Sequence, residues 1–196
     1  MSGHEPITIA PAIEGHGEVT ALPVLLRRIA AELSVWNLQV AVPLRVPQTQ
    51  LIGAGLESAV AAQASRVRGR GGVLVLLDAD DHCPADLGPR LLQRAQAARP
   101  DVRVGVVLAN REFEAWFLAA AKSLGGLRGL PDVLEAPADP EAKRDAKGWL
   151  SERMVGHPYK PKVDQAPLAA KFDLYAARAN SPSFDKLWRE VEKLLA

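Results

Sequence analysis

Only one cysteine, Cys83, occurs in the 196 residues, so no disulfide can form within the chain, and a reducing, cytoplasmic setting is expected. Neither sign of charge is in surplus. The 24 Lys and Arg nearly cancel the 23 Asp and Glu to leave a net charge of +1, which excludes an overall basic field drawing the chain to nucleic acid. A local basic patch is compatible with that total. No apolar stretch approaches the ~20 residues that span a bilayer. The opening residues, Met1 to Pro6, lack the basic start and apolar segment of a signal peptide. The expectation is a soluble, intracellular protein with no membrane contact. Internal repeats, low-complexity tracts and the Gly-Lys-Ser/Thr of a nucleoside-triphosphate loop are also missing.

What is present is an ordinary globular composition, 48% hydrophobic and 24% charged. A chain of this size buries roughly 70% of its unfolded surface and needs no structural metal. Apolar runs alternate with helical patterns over the first two-thirds. Residues 7–13 read as a first strand, and 18–34 as a helix with Val19, Leu22, Leu25, Leu26, Ile29 and Leu33 on one face. Residues 40–46 read as a second strand whose Pro43 demands an edge or a bulge. An alanine-rich helix over 55–67, a third strand over 73–77, a helix over 84–98 and a fourth strand over 102–108 follow. This alternation predicts an α/β fold with a mainly parallel four-stranded sheet flanked by helices. The character changes near Gly125, where Gly and Pro accumulate. Helices are expected over about 140–153, 165–178 and 182–195, the last with Phe184, Leu187, Trp188, Val191, Leu194 and Leu195 as its apolar stripe. The expected organisation is a core over 1–124 and an irregular connection plus C-terminal helical cap over 125–196.

The chemistry lies where strands end. The first strand runs into Glu14-Gly15-His16-Gly17-Glu18, and the third into Asp78-Ala79-Asp80-Asp81. Strand C-termini of a parallel sheet form its ligand-bearing edge. Carboxylates gathered there repel one another unless a cation intervenes, and Mg²⁺ takes oxygen ligands of this kind, with Mn²⁺ as a substitute. Asp78 and Asp80, two apart, share a face on an extended backbone, whereas a turn at Asp80 would part them. Glu14, Asp78 and Asp80 are the expected metal ligands, Glu14 doubling as general acid or base, with Glu18 or Glu112 supporting a second ion. The bland alternative is that the acids cap a helix or stay solvated.

Other residues have simpler roles open to them. Gly15-x-Gly17 suggests a dinucleotide loop, but Thr20 stands where the third glycine belongs, and Glu14 and Glu18 would repel a pyrophosphate. His16 and His82 border the acidic motifs as proton donors, ligands or plain loop histidines. Cys83 reads as a small packed thiol. Glu112 and Glu114 either reach the site or favour the helix dipole of their first turn. Phe113, Trp116 and Phe117 read as core rather than as a base-stacking platform. Arg66, Arg68 and Arg70 read as solvated cations. Tyr159-Lys160-Pro161-Lys162 is either a surface turn or a restrained segment presenting ammonium groups, of which Lys160 is the candidate for stabilising phosphoryl charge.

With these motifs in view, the chain resembles the Toprim domain, the metal-binding catalytic module of topoisomerases, primases and overcoming-lysogenization-defect nucleases. That module carries a glutamate after its first strand and Asp-x-Asp after its third, matching Glu14 and Asp78/Asp80, and Glu14-Gly15-x-x-Glu18 resembles the nuclease branch. This likeness covers about residues 7–120. Over nearly the whole chain the order of acidic motifs, Glu112-x-Glu114-Ala115-Trp116 and Tyr159-Lys160-Pro161 is similar to the uncharacterised bacterial domain-of-unknown-function family 4276. The resemblance implies a Toprim-like fold and an Mg²⁺-dependent nuclease acting on DNA or RNA. Tyr159 and Tyr175 lie outside the core, which disfavours a covalent tyrosine mechanism. Alternatives are a non-catalytic metal- or nucleic-acid-binding partner in a bacterial defence system, one that works with a protein such as an ATPase, and a hydrolase of small phosphate esters.

Overall fold

The computed structural model describes residues 5–196; Met1 to His4, the start of the segment read as lacking a signal peptide, lie outside it. The sheet is wholly parallel. Strand β1 (Ile7–Ile13) lies at its centre beside β4 (Arg70–Asp78), and β5 (Arg103–Ala109) pairs with the far side of β4. The other edge consists of two short pieces, β2 (Leu38–Val40) and β3 (Leu44–Arg45), both paired with β1. They are the expected second strand, split around Pro43, so the four anticipated strands appear as five.

That split resolves a conflict in β1. Pro11 has no N–H to offer a ladder, and proline is normally excluded from a central strand. The β2 pairing ends at Ile9 and the β3 pairing begins at Ala12, so Pro11 falls in the interruption. Fully buried Gln63 plugs the gap: its amide donates to the Pro11 carbonyl and, at 3.2 Å, to the Val42 carbonyl.

Helices cover both faces, as continuous apolar strands require. Side chains alternate: Val73, Val75 and Leu77 with Val104, Val106 and Leu108 pack beneath α3 (Leu56–Ala64) and α4 (Pro84–Ala98), preceded by the short α2 (Gln48–Ile52). On the other face Ile7, Ile9, Ile13, Leu74, Leu76 and Val107 meet α1 (Glu18–Glu32), α5 (Ala115–Ala119) and α9 (Pro182–Leu195). The expected apolar stripe of α9 is buried throughout, and Ser181 caps that helix by accepting from the Phe184 N–H. Phe113, Trp116 and Phe117 are core residues, as expected, packed with Phe172 and Phe184 at ring separations of 4.6–5.6 Å.

Two expected helices are shorter or broken. Instead of running over 140–153, α6 spans Ala146–Arg153, because Asp145, in a left-handed conformation, accepts from the Gly148 N–H and starts the helix there. The helix expected over 165–178 is a π-helical turn (Pro161–Gln165), α7 (Ala166–Ala169) and α8 (Leu174–Asn180). Asp173 separates the last two by capping the Tyr175 and Ala176 N–H groups. No helix among the described residues is long and apolar enough to cross a membrane.

Candidate functional site

Strands β1 and β4 run in register, Ile13 beside Leu76, so the residues that follow them emerge at one rim. There the Asp78 N–H donates to Glu14 Oε2 at 3.3 Å, which holds the Glu14 carboxylate against the end of β4. Asp78 Oδ1 accepts from the Phe113 N–H at 2.8 Å, drawing in the segment after β5. Three strand ends are thereby tied together by carboxylate–amide bonds.

Glu18, buried in the first turn of α1, folds back to accept from the Gly15 N–H at 3.3 Å. Glu114, fully buried, precedes α5 and accepts from the Tyr159 hydroxyl at 2.9 Å and the Gln165 amide at 3.2 Å. One ammonium group faces this assembly. Lys147 Nζ lies 2.9 Å from Glu112 Oε2, 3.2 Å from Glu114 Oε2 and 3.7 Å from Asp78 Oδ2.

Five carboxylates against one close ammonium leave an electrostatic excess. Burial pushes the Glu14, Asp78 and Glu114 carboxyls upward. Glu18 is pushed up to about 8, first by burial and then by the neighbouring Glu114 and Glu14 charges. Lys147, despite its own desolvation, is raised by Glu114, Asp78 and Glu112. Glu114 Oε2 has no hydrogen-bond donor beyond this ion pair, and the buried Gln165 Oε1 has none.

Above the acids lies a cleft of about 600 Å³, lined by Glu14, Glu18, Asp78, Glu114 and Lys147 on one side and by the 159–165 turn on the other. The turn docks against the start of α1 at Gly17, where a Cβ would stand 2.1 Å from Gln165 Oε1 and 2.8 Å from the Pro161 carbonyl. Only glycine permits that approach.

The sequence-expected residues divide. Glu14, Glu18 and Asp78 gather in the cleft, with Glu112 adjoining through Lys147. Asp80 does not share a groove with Asp78. It adopts a left-handed φ of 48°, lies exposed, and accepts from the Gln48 amide at 2.9 Å. It lines a neighbouring polar groove with Asp81, Arg111, Glu112, Arg144 and Asp145, yet remains near enough for its charge to raise Glu14. Lys160 lines the cleft wall, and the ammonium among the acids is that of Lys147. Lys147, Tyr159, Gln165 and the participation of Glu114 were missed or discounted from sequence. Glu112-x-Glu114 and Tyr159-Lys160-Pro161 carried local signals, but nothing local joins them, since the partners of the glutamates lie 35 or more residues along the chain.

Among the described residues no three His, Cys, Asp or Glu side chains converge as a ready-made cation cage. The donor set nevertheless suits a hard divalent ion. It is all oxygen, over-supplied with negative charge and includes a buried carboxylate oxygen, Glu114 Oε2, whose one partner is the Lys147 ammonium. Mg²⁺ uses only one or two protein carboxylates and keeps several waters, so a full cage is unnecessary.

No curated protein and no solved structure matches the chain. Residues 13–192 match the family described as Domain of unknown function (DUF4276), spanning the strand-end acids, Lys147 and the 159–165 turn, and the chain belongs to that family.

Proposed function

We propose that this protein is a Toprim-type phosphoryl-transfer protein dependent on Mg²⁺, acting on phosphodiesters of DNA or RNA. The observation that supports it most is the gathering of Glu14, Glu18, Asp78 and Glu114 around one lysine, beneath a wall bearing Lys160 and Lys162. Acids that bind a cation and cations that bind a phosphate are the two halves of such a site.

Asp78 and Glu14 would hold the ion, Asp78 through the oxygen that now faces Lys147. When bound, the ion polarises a phosphoryl oxygen and makes its water a better nucleophile. Glu14, half-buried and held by the Asp78 N–H, would orient an attacking water or take its proton. Lys147 stabilises negative charge developing on the phosphoryl group, and the Glu114–Tyr159–Gln165 hydrogen bonds fix the floor on which both act. Lys160 on the wall meets phosphate oxygens. Asp80 and Glu112, in the adjoining groove, belong to the outer shell or a second ion. With purified protein and Mg²⁺ or Mn²⁺, a nucleic acid should be degraded, and Asp78→Asn should abolish the activity. Turnover that survives Asp78→Asn together with Asp80→Asn removes the mechanism.

A second reading is favoured by Lys147 itself. An ammonium already seated among three acids neutralises part of the charge that would recruit an ion, as in a fold kept for binding rather than turnover. Heat of Mg²⁺ binding without hydrolysis of any phosphodiester would favour this partner role.

A further inference from the structure

The acids lie at the bottom of the cleft and the cations at its mouth. Glu18 and Glu114 are buried and Glu14 half-buried, whereas Lys160, Lys162 and His16 are exposed along the walls. Arg45 stands close by: its Nη1 lies 3.5 Å from the Glu14 carbonyl. Lys160, Lys162 and His16 thus line the mouth of an acidic hollow, with Arg45 beside it.

The lysine wall is braced. Fully buried Asp164 accepts from the Lys160 N–H at 2.8 Å, and its other oxygen takes Arg128 Nε at 3.0 Å and Nη2 at 2.9 Å. Pro158 and Pro161 flank Tyr159-Lys160, and a π-helical turn begins at Pro161. Such turns recur at functional sites. Lys160 and Lys162 are therefore carried on a rigid mount rather than a loose loop.

Size then limits what enters. About 600 Å³ lies within the range that holds one small molecule. Glu18 and Glu114 are buried beneath this rim, which favours a unit free to enter the cleft over one held within a paired duplex.

We propose that the rim of Arg45, His16, Lys160 and Lys162 is a phosphate-binding subsite, and that the cleft admits one nucleotide unit at a time, either free or at the end of a single strand. This rests on the phosphoryl-transfer reading and narrows it: the phosphodiester cleaved is the one next to the end of a single strand, not an internal linkage of duplex, and a free nucleotide occupies the cleft as the released unit. Asp164 and Arg128 are positioning residues for the two lysines.

Titration calorimetry in Mg²⁺ tests this with three probes: a nucleoside 5′-monophosphate, a 5′-phosphorylated single-stranded oligonucleotide, and a duplex closed by hairpins at both ends. The monophosphate and the single strand separate the two sources of the unit, and binding of either supports the subsite. The closed duplex should bind about tenfold or more weakly. Lys160→Gln with Lys162→Gln should weaken the phosphate probes by about tenfold or more while leaving Mg²⁺ affinity unchanged, because both lysines contact phosphate by charge-assisted bonds. Equal binding of the closed duplex, or wild-type affinity in the double variant, overturns the proposal. Mg²⁺ binding with no affinity for either phosphate probe overturns it alone, whereas failure of wild-type protein to bind Mg²⁺ overturns the underlying reading with it.

Discussion

Replacing Lys147 by methionine tests the electrostatics of the cleft most sharply. The change removes the ammonium close to Glu112, Glu114 and Asp78 and leaves those carboxylates facing one another. Removing one partner of a buried ion pair costs about 3–5 kcal/mol. Lys147 is 40% exposed, so solvent already screens part of its charge, whereas Glu114 is 0% exposed. Discounting for that screening leaves about 2–3 kcal/mol. At this chain length each kcal/mol moves the melting temperature by roughly 2–4 °C, so a fall of roughly 4–12 °C is expected in EDTA. Millimolar Mg²⁺ should restore most of it, because the freed acids become a stronger cation site; saturation to a hundred times Kd returns about 2.7 kcal/mol. Thermal denaturation of wild type and variant, with EDTA and with Mg²⁺, reads both effects. A variant as stable as wild type, or one whose loss Mg²⁺ does not repair, would refute the reasoning.

Metal-free protein should become less stable as pH rises from about 5 to 8. Glu18 loses its proton near 4.5 when unfolded but only at about 8 when folded, so each pH unit between costs up to about 1.4 kcal/mol. Melting profiles of Glu18→Gln should be flatter over that range, and a parallel profile would contradict the assignment. Gly17→Ala should cost about 1–3 kcal/mol by chemical denaturation, since its φ of −70° suits alanine and the only penalty is the collision with Gln165 and Pro161. Asp164→Ala should free the Lys160 N–H and raise hydrogen exchange across 157–165, with strand β4 unchanged as the internal control.

Much of the scaffold could be read from residue pattern because its signals are local. The alternation of Ile7-Thr8-Ile9 with the stripe of α1, and the stripe of α9, reflects burial that each segment encodes alone. Pro43 announced an edge, though not that the edge would divide to accommodate Pro11. Glu14, Glu18 and Asp78 were accessible because strand ends in a parallel sheet converge whatever their order. For Asp80 two courses were open, since the two-residue spacing that puts it beside Asp78 holds only on extended backbone, and its left-handed conformation takes the other course, a turn. Lys147 had no local signature. It reaches the acids because Asp145 starts a helix whose Trp149 and Leu150 are buried, and that long-range packing places the ammonium. Helices over 140–153 and 165–178 were overextended for a related reason: Asp145 and Asp173 cap the backbone at points where propensity alone would continue it.

The most direct measurement is a crystal soaked in Mn²⁺ and examined for anomalous scattering. The account predicts a peak against the carboxylates of Glu14 and Asp78, with the Lys147 side chain withdrawn from Asp78. Lys147 still seated among Asp78, Glu112 and Glu114, with no peak in the cleft at saturating Mn²⁺, would contradict it.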